Sequence, residues 1–90
     1  MSFAAARTIA APDLTVVPGL IDLHVHFTTT QLDIFGQVRL PNSLVAARII
    51  PILHGMLRRC FTAMRIAAGE DVGRRQAIDS GLVAGPRLFL

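Results

Sequence analysis

The stretch VVPGLIDLHVHF, residues 16–27, carries three ionisable side chains, each two residues from the next, in an otherwise apolar run. Side chains alternate between the two faces of a β-strand, so residues two apart point to the same side. One side of the run then carries Leu20, Asp22, His24 and His26, and the other side carries Ile21, Leu23, Val25 and Phe27. This alternation predicts a strand over 20–27 with one wholly apolar face and one face that bears polar groups.

The two histidines on the polar face are candidate metal ligands. Residues two apart on a strand have Cα atoms roughly 6.5–7 Å apart, so the imidazoles of His24 and His26 can converge on one ion, with each nitrogen about 2.0–2.1 Å from a zinc. Asp22, deeper on the same face, can accept a hydrogen bond from a ligand imidazole and so orient it. A catalytic zinc normally has three protein ligands and an open position, so the pair is a partial site at most. The alternative is two structural or surface histidines.

The remaining sequence alternates between strand-like and helix-like segments. In chain order we predict a strand at LTVV (14–17), a turn at Pro18-Gly19 and the strand 20–27. A loop follows over 28–41, with one helical turn near 32–35, and then a helix from a cap at Asn42 or Ser43 to about Arg59. After it we predict a strand over 60–66, a helix at VGRRQAIDS (72–80) that is capped by Asp71 and ended by Gly81, and a strand that begins at RLFL (87–90). Pro51 is expected to kink or break the long helix, because proline lacks an N–H and clashes with the preceding turn.

Strands that alternate with helices predict an α/β fold with a parallel sheet. A closed (β/α)₈ barrel takes about 250 residues, so this chain of 90 residues would supply a partial barrel: the first two β/α units and the start of the third strand. The composition agrees, since 52% of residues are hydrophobic and 17% charged, which leaves apolar faces for neighbouring elements to cover. We therefore divide the chain into 1–19, a remnant of a flanking β-sandwich and its turn, and 20–90, an incomplete barrel.

Two stretches resemble the amidohydrolase superfamily. PGLIDLHVHF (18–27) looks like its first-strand signature Pro-Gly-x-Ile-Asp-x-His-x-His, and FTAMRIAAGEDVGRRQAIDSGLVAGPRLFL (61–90) is similar to the segment after the first helix in the imidazolonepropionase-like and Xaa-Pro-dipeptidase-like branch. The sequence departs from the family pattern at Cys60, where glycine is common, at Ala63 and at Ile66. The helix proline is also unusual for the family.

The resemblance implies a metal-dependent hydrolase of C–N bonds in amides, cyclic amides or dipeptides, built on a (β/α)₈ barrel with one or two divalent ions, zinc being the expected metal. His24 and His26 match the first two metal ligands of the family. The bridging carboxylated lysine or glutamate, two further histidines and the catalytic aspartate lie further along in family members, so no catalytic residue is assigned here. LTVV resembles the last strand of the small β-sandwich that flanks such barrels.

We therefore expect the N-terminal part of an amidohydrolase that binds metal weakly and is inactive as an isolated chain, whether from a shortened or a degenerate gene. One alternative is a non-catalytic protein that forms homo-oligomers or completes a barrel with another chain through its exposed apolar surfaces. Another is a small self-contained metal-binding module whose folding requires zinc.

Charge and cysteine content limit the partners and the cellular compartment that we expect. The net charge of +3 comes from nine arginines that form no evident cluster, so we expect no nucleic acid partner. The apolar segment 44–57 is interrupted and falls short of the roughly 20 residues of a membrane span, so no membrane association is expected. A single cysteine, Cys60, excludes an internal disulfide and favours a cytoplasmic location. We expect Cys60 to be buried and His54 to be structural.

Overall fold

Three short apolar strands, each separated from the next by helical segments, form one parallel sheet. The computed structural model describes residues 4–67 and 72–90. The elements are β1 (Leu20–Val25), α1 (Ile34–Val38), α2 (Asn42–Arg58), β2 (Phe61–Ile66), α3 (Val72–Asp79) and β3 (Arg87–Phe89). The sheet order is β1-β2-β3 with both pairs parallel, so the predicted α/β class and parallel sheet are confirmed.

The core lies between the sheet and α2. Its buried apolar side chains are Val25, Phe27, Ile49, Leu53, Met64, Ile66 and Leu88. The helical spacing of Ile49 and Leu53 brings both onto the face of α2 that packs on the sheet, and the partly buried Val45, Ile52 and Met56 surround them. These residues recur in the sequence at the spacing of one helix face.

The long helix runs without interruption through Pro51, so the break, one of the two predicted outcomes, does not occur. Ile49 and Leu53, two residues before and after the proline, are 1% and 2% exposed. Burial of both side chains in the same core keeps the residues on either side of the proline helical, and this outweighs the missing hydrogen bond.

The predicted cap of α2 is also wrong. The capping position is Pro41, which makes no side-chain cap hydrogen bond. Its carbonyl instead accepts the N–H groups of Leu44 and Val45 at 2.9 and 3.1 Å. The helix therefore begins at Asn42, one residue earlier than a cap at Asn42 would allow and two earlier than a cap at Ser43 would allow.

Gly81 ends α3 as predicted. Its φ of 76° lies in the left-handed region, its N–H donates to the carbonyl of Ile78 at 3.0 Å, and the N–H of Leu82 donates to the carbonyl of Ala77 at 2.9 Å. These two bonds form the Schellman arrangement that satisfies the last carbonyls of a helix. The predicted cap at Asp71 lies outside the described residues.

Residues 14–17 form no strand in the structure, so the predicted strand at LTVV is wrong, and the assignment of 1–19 to a flanking β-sandwich stays a prediction. Leu14, Val16 and Val17 are exposed, and no strand within 4–67 and 72–90 pairs with them. A β-prone run forms a strand only when a neighbour supplies the ladder hydrogen bonds.

In the same described residues, none of the helices has the length and apolar character needed to cross a bilayer.

The segment after β1 differs from the prediction in two details. The strand ends at Val25 rather than Phe27, where the carbonyl of Val25 accepts the N–H of Ala67 at 3.0 Å, just past the end of β2. The helical turn expected near 32–35 is α1, whose capping residue Asp33 accepts the N–H of Gly36 through Oδ1 at 2.9 Å.

Candidate metal centre

β1 is irregular where it carries the first histidine. Asp22 pairs with Met64 and Val25 with Ile66, so three residue steps on β1 match two on β2. Such a shift interrupts the regular ladder and disturbs the alternation of side chains along the strand. Val25, which immediately follows His24, is buried in the core, whereas His24 is exposed.

The imidazoles of His24 and His26 meet at their far nitrogens. The two Nε2 atoms are 3.0 Å apart, the ring centroids are 4.9 Å apart, and the ring planes are inclined by 71°. Both residues are exposed. The structure therefore brings together the two histidines that the sequence selected, at the carboxyl end of a parallel strand.

The separation of the two nitrogens fits one divalent cation. Nitrogens 3.0 Å apart, each about 2.0–2.1 Å from a zinc, subtend an angle of roughly 95° at the metal. Tetrahedral coordination at the same bond lengths requires a separation of about 3.3 Å between the two nitrogens, so the two imidazoles need to move apart only slightly. Without a cation, the same distance is that of a hydrogen bond in which one neutral imidazole donates to the other.

Asp22 contacts the main chain of His24. Its Oδ1 accepts the His24 backbone N–H at 3.0 Å. The pairing of β1 with β2 is irregular between Asp22 and Val25, so the common face of Asp22, His24 and His26 stays a prediction. The carboxylate still fixes the backbone at His24, and its role as an acceptor for a ligand imidazole stays a prediction.

Within the described ranges 4–67 and 72–90, no group of three or more His, Cys, Asp or Glu side chains is arranged to hold a metal. His54 is exposed on α2. Cys60 is exposed rather than buried as expected, because it lies in the turn between α2 and β2 with a φ of 66°. Within these residues, His24 and His26 are thus the candidate metal ligands, and their role as ligands stays a prediction.

Sequence reasoning does not single out Gln37, which lies in the segment predicted as a loop. Its side-chain amide binds the backbone of the residues that follow His26, through the carbonyl of Thr28 and the N–H of Thr30. A glutamine in a loop without periodicity has no pattern that marks such a contact. Only the hydrogen bonds between α1 and residues 28–30 make it visible.

A cavity of about 900 Å³ opens between the end of β1 and the helices, with His26 on its lining. Its other lining residues include Gln37 and Asn42 as polar groups and Ile49 and Ile78 as apolar ones. A mostly apolar cleft with a few polar groups beside candidate ligands is the usual form of a small-molecule site.

Comparison with solved structures gives similar chains at high structural similarity. An amidohydrolase crystal structure is 43% identical, with a TM-score of 0.78 over 91% of this chain and 22% of that chain. A prolidase complexed with N-methylphosphonate-L-proline is 38% identical, with a TM-score of 0.77 over 92% of this chain and 22% of that one. A Xaa-Pro dipeptidase with methionine bound in its active site is 28% identical, with a TM-score of 0.66 over 91% and 23%.

The chain thus spans less than a quarter of the length of these structures. No family model matches the sequence, and no curated protein matches it either.

Proposed function

This chain is amidohydrolase-like over the nine-tenths of its length that it shares with solved hydrolases, and from this premise we propose that it forms the N-terminal part of a metal-dependent hydrolase of C–N bonds. In this proposal β1, β2 and β3 are the first three strands of a (β/α)₈ barrel, and residues 20–90 form its incomplete domain. Parallel strands with helical connections are the repeating unit of such a barrel.

The observation that carries the proposal is the 3.0 Å separation of the Nε2 atoms of His24 and His26 at the end of β1. Active sites of (β/α)₈ barrels are built at the carboxyl ends of the strands. The two imidazoles would hold one side of a divalent ion, zinc being the first choice for nitrogen ligands. When bound, such an ion supplies the activation of water as a nucleophile at neutral pH.

In this proposal, the residues of this chain would bind and orient the ion but would not transfer protons. His24 and His26 would bind the ion, while Asp22 holds the His24 backbone through a 3.0 Å hydrogen bond. The remaining ligands and the acid–base group would come from outside these 90 residues, so we expect no turnover by the isolated chain. The prolidase and Xaa-Pro dipeptidase among the similar structures favour dipeptides with a C-terminal proline as the substrate class of the complete enzyme.

A titration with Zn²⁺ or Co²⁺ tests the metal site in the isolated chain. We expect weak binding of one ion, which His24→Ala or His26→Ala lowers at least tenfold, because one imidazole remains where two converged. His54→Ala is the matched control, since it removes an exposed histidine from α2. Equal loss in all three variants would attribute binding to scattered surface histidines and contradict the proposal.

An activity assay on the same samples tests the expected inactivity. Release of proline from a Xaa-Pro dipeptide is measured with Zn²⁺ present. We expect none from the 90-residue chain. Hydrolysis that disappears in the His24→Ala variant would show that the chain alone is a working enzyme.

A second candidate function is a non-catalytic interaction protein that oligomerises or completes a barrel with another chain. The face of the sheet opposite α2 supports it. There Ile21, Leu23 and Phe89 are 64%, 67% and 50% exposed, and they line a cavity of about 830 Å³ together with Arg65 and Arg87. An exposed apolar surface of this kind marks an interaction site in a soluble protein.

A further inference from the structure

His26 lies in a short segment that is anchored on both sides. It is the first residue after β1, and its neighbours Val25 and Phe27 are both buried in the core. Its carbonyl accepts the N–H of Thr29 at 3.1 Å, which closes a turn immediately after it. The direction of the His26 imidazole therefore depends on how firmly residues 27–30 are held.

Gln37 of α1 holds this segment through both ends of its side-chain amide. Nε2 donates to the carbonyl of Thr28, and Oε1 accepts the backbone N–H of Thr30 at 2.6 Å and the Thr30 hydroxyl at 3.3 Å. The orientation of the amide follows from its partners, because a carbonyl only accepts and a backbone N–H only donates. A glutamine thus gives the segment the pair of hydrogen bonds that a neighbouring strand would supply.

The contacts of Gln37 are shielded from water. Thr28 is 8% exposed, and Gln37 and Thr30 are half-buried. Hydrogen bonds in such surroundings are stronger than those on the surface, and the cost of leaving a buried backbone group without a partner is high. In contrast, α1 has no buried residue, so apolar packing contributes little to the link between α1 and the end of β1.

We propose that Gln37 is a positioning residue for the metal centre: by clamping Thr28 and Thr30 it fixes the turn that follows His26 and keeps the His26 imidazole directed at His24. This inference rests on the proposed function, in which the two histidines bind a divalent cation. Removal of a group that positions a metal ligand commonly lowers the affinity for the metal by 10–100-fold.

The test compares Gln37→Leu with Gln31→Leu in the full 90-residue chain. Gln31 directly follows this segment and also makes two side-chain hydrogen bonds, to the carbonyl of Asp33 and to Arg48, but no hydrogen bond joins its side chain to Thr28 or Thr30. Two quantities are measured: the Co²⁺ dissociation constant by calorimetry, and the hydrogen exchange rates of the Thr29 and Thr30 amides in the metal-free chain by NMR.

We expect Gln37→Leu to weaken Co²⁺ binding about tenfold and to accelerate exchange at both amides, with the circular dichroism spectrum unchanged. Gln31→Leu is expected to leave affinity and exchange close to those of the wild type. If Gln37→Leu does not fold, Gln37→Glu replaces it, since the carboxylate still accepts from Thr30 but cannot donate to Thr28. A smaller loss of affinity is then expected.

Three results overturn the inference, and they are distinguishable. If the wild type binds no Co²⁺, the proposed function fails and the inference fails with it. If the wild type binds and Gln37→Leu binds equally well, only the positioning role fails, whatever the exchange rates. If Gln31→Leu weakens binding as much as Gln37→Leu, the effect comes from loosening the whole segment rather than from the clamp.

Discussion

Cys60 has a backbone conformation that favours glycine. Its φ is 66°, and it is held there because its N–H donates to Leu57 at 2.9 Å and its carbonyl accepts from Leu20 at 2.8 Å. For a residue with a Cβ atom, the left-handed conformation costs about 1–2 kcal/mol. The glycine common at this position in the resembling family therefore has a physical reason in the turn between α2 and β2.

We predict that Cys60→Gly stabilises the chain. Relief of the strain, about 1–2 kcal/mol, exceeds the larger backbone entropy that glycine brings to the unfolded state, about 0.5–1 kcal/mol. The free energy of unfolding should rise by roughly 0.5–1 kcal/mol, which urea unfolding followed by circular dichroism measures. Cys60→Ala is the control, because it removes the thiol and keeps the Cβ. An equal gain from alanine would assign the effect to the thiol and contradict the argument.

At the candidate site, the spacing of the two histidines could be predicted from the sequence, whereas the place of the carboxylate could not. His24 and His26 are two residues apart, and their Nε2 atoms meet. The pairing of β1 with β2 is irregular between Asp22 and Val25, so the period of a strand does not fix the face on which Asp22 lies. Such an irregularity depends on how β1 pairs with β2, and nothing in residues 20–27 alone indicates that pairing.

At the scale of elements, α2 shows how packing overrides a local signal. The apolar side chains of the helix recur at the helical period, so the face that packs on the sheet can be predicted from the sequence. Pro51 lies in the middle of the same segment, and proline costs about 3 kcal/mol in a helix interior. The local signal alone therefore favours a break. The contact of the Ile49 and Leu53 side chains with the sheet decides the outcome, and this contact is not visible in a single segment.

We predict that Pro51→Ala stabilises the chain by about 1–3 kcal/mol, since it restores a backbone donor to a helix that is already continuous. Pro51 is exposed, so the change leaves the core intact. His54→Ala, also at an exposed position of α2, changes helix propensity alone and should give only about 0.5 kcal/mol. Unfolding midpoints in urea compare the two. A loss of stability in Pro51→Ala would mean that the helix requires the bend that proline introduces.

At the scale of the molecule, the described chain is elongated and its sheet is open on one side. The radius of gyration is 16.7 Å, whereas a compact domain of this length has about 12 Å. Residues 4–19 contribute to this, since they contain no helix or strand and are mostly exposed. The strand and helix order of residues 20–90 could be predicted from the sequence. The extended path of 4–19 could not, because the β-prone run 14–17 reads as a strand whatever its surroundings.

The apolar side of the sheet gives the second candidate function a direct test. Burying a side chain such as Ile21 or Leu23 in an interface contributes about 1.5–3 kcal/mol, so a chain that uses this face should self-associate as its concentration rises. We predict that Ile21→Ser with Leu23→Ser reduces this association. Leu32→Ser with Phe35→Ser, which removes two exposed apolar side chains near α1, should not.

Sedimentation velocity at two concentrations an order of magnitude apart measures the effect, and the Co²⁺ titration on the same samples shows whether the metal centre is retained. A wild type that sediments as a monomer at both concentrations would count against the interaction candidate. The hydrolase proposal would then depend only on the metal titrations of the histidine variants. Association that survives in the sheet variant and disappears in the α1 variant would move the interface to α1. In that case the open side of the sheet would have no role in self-association.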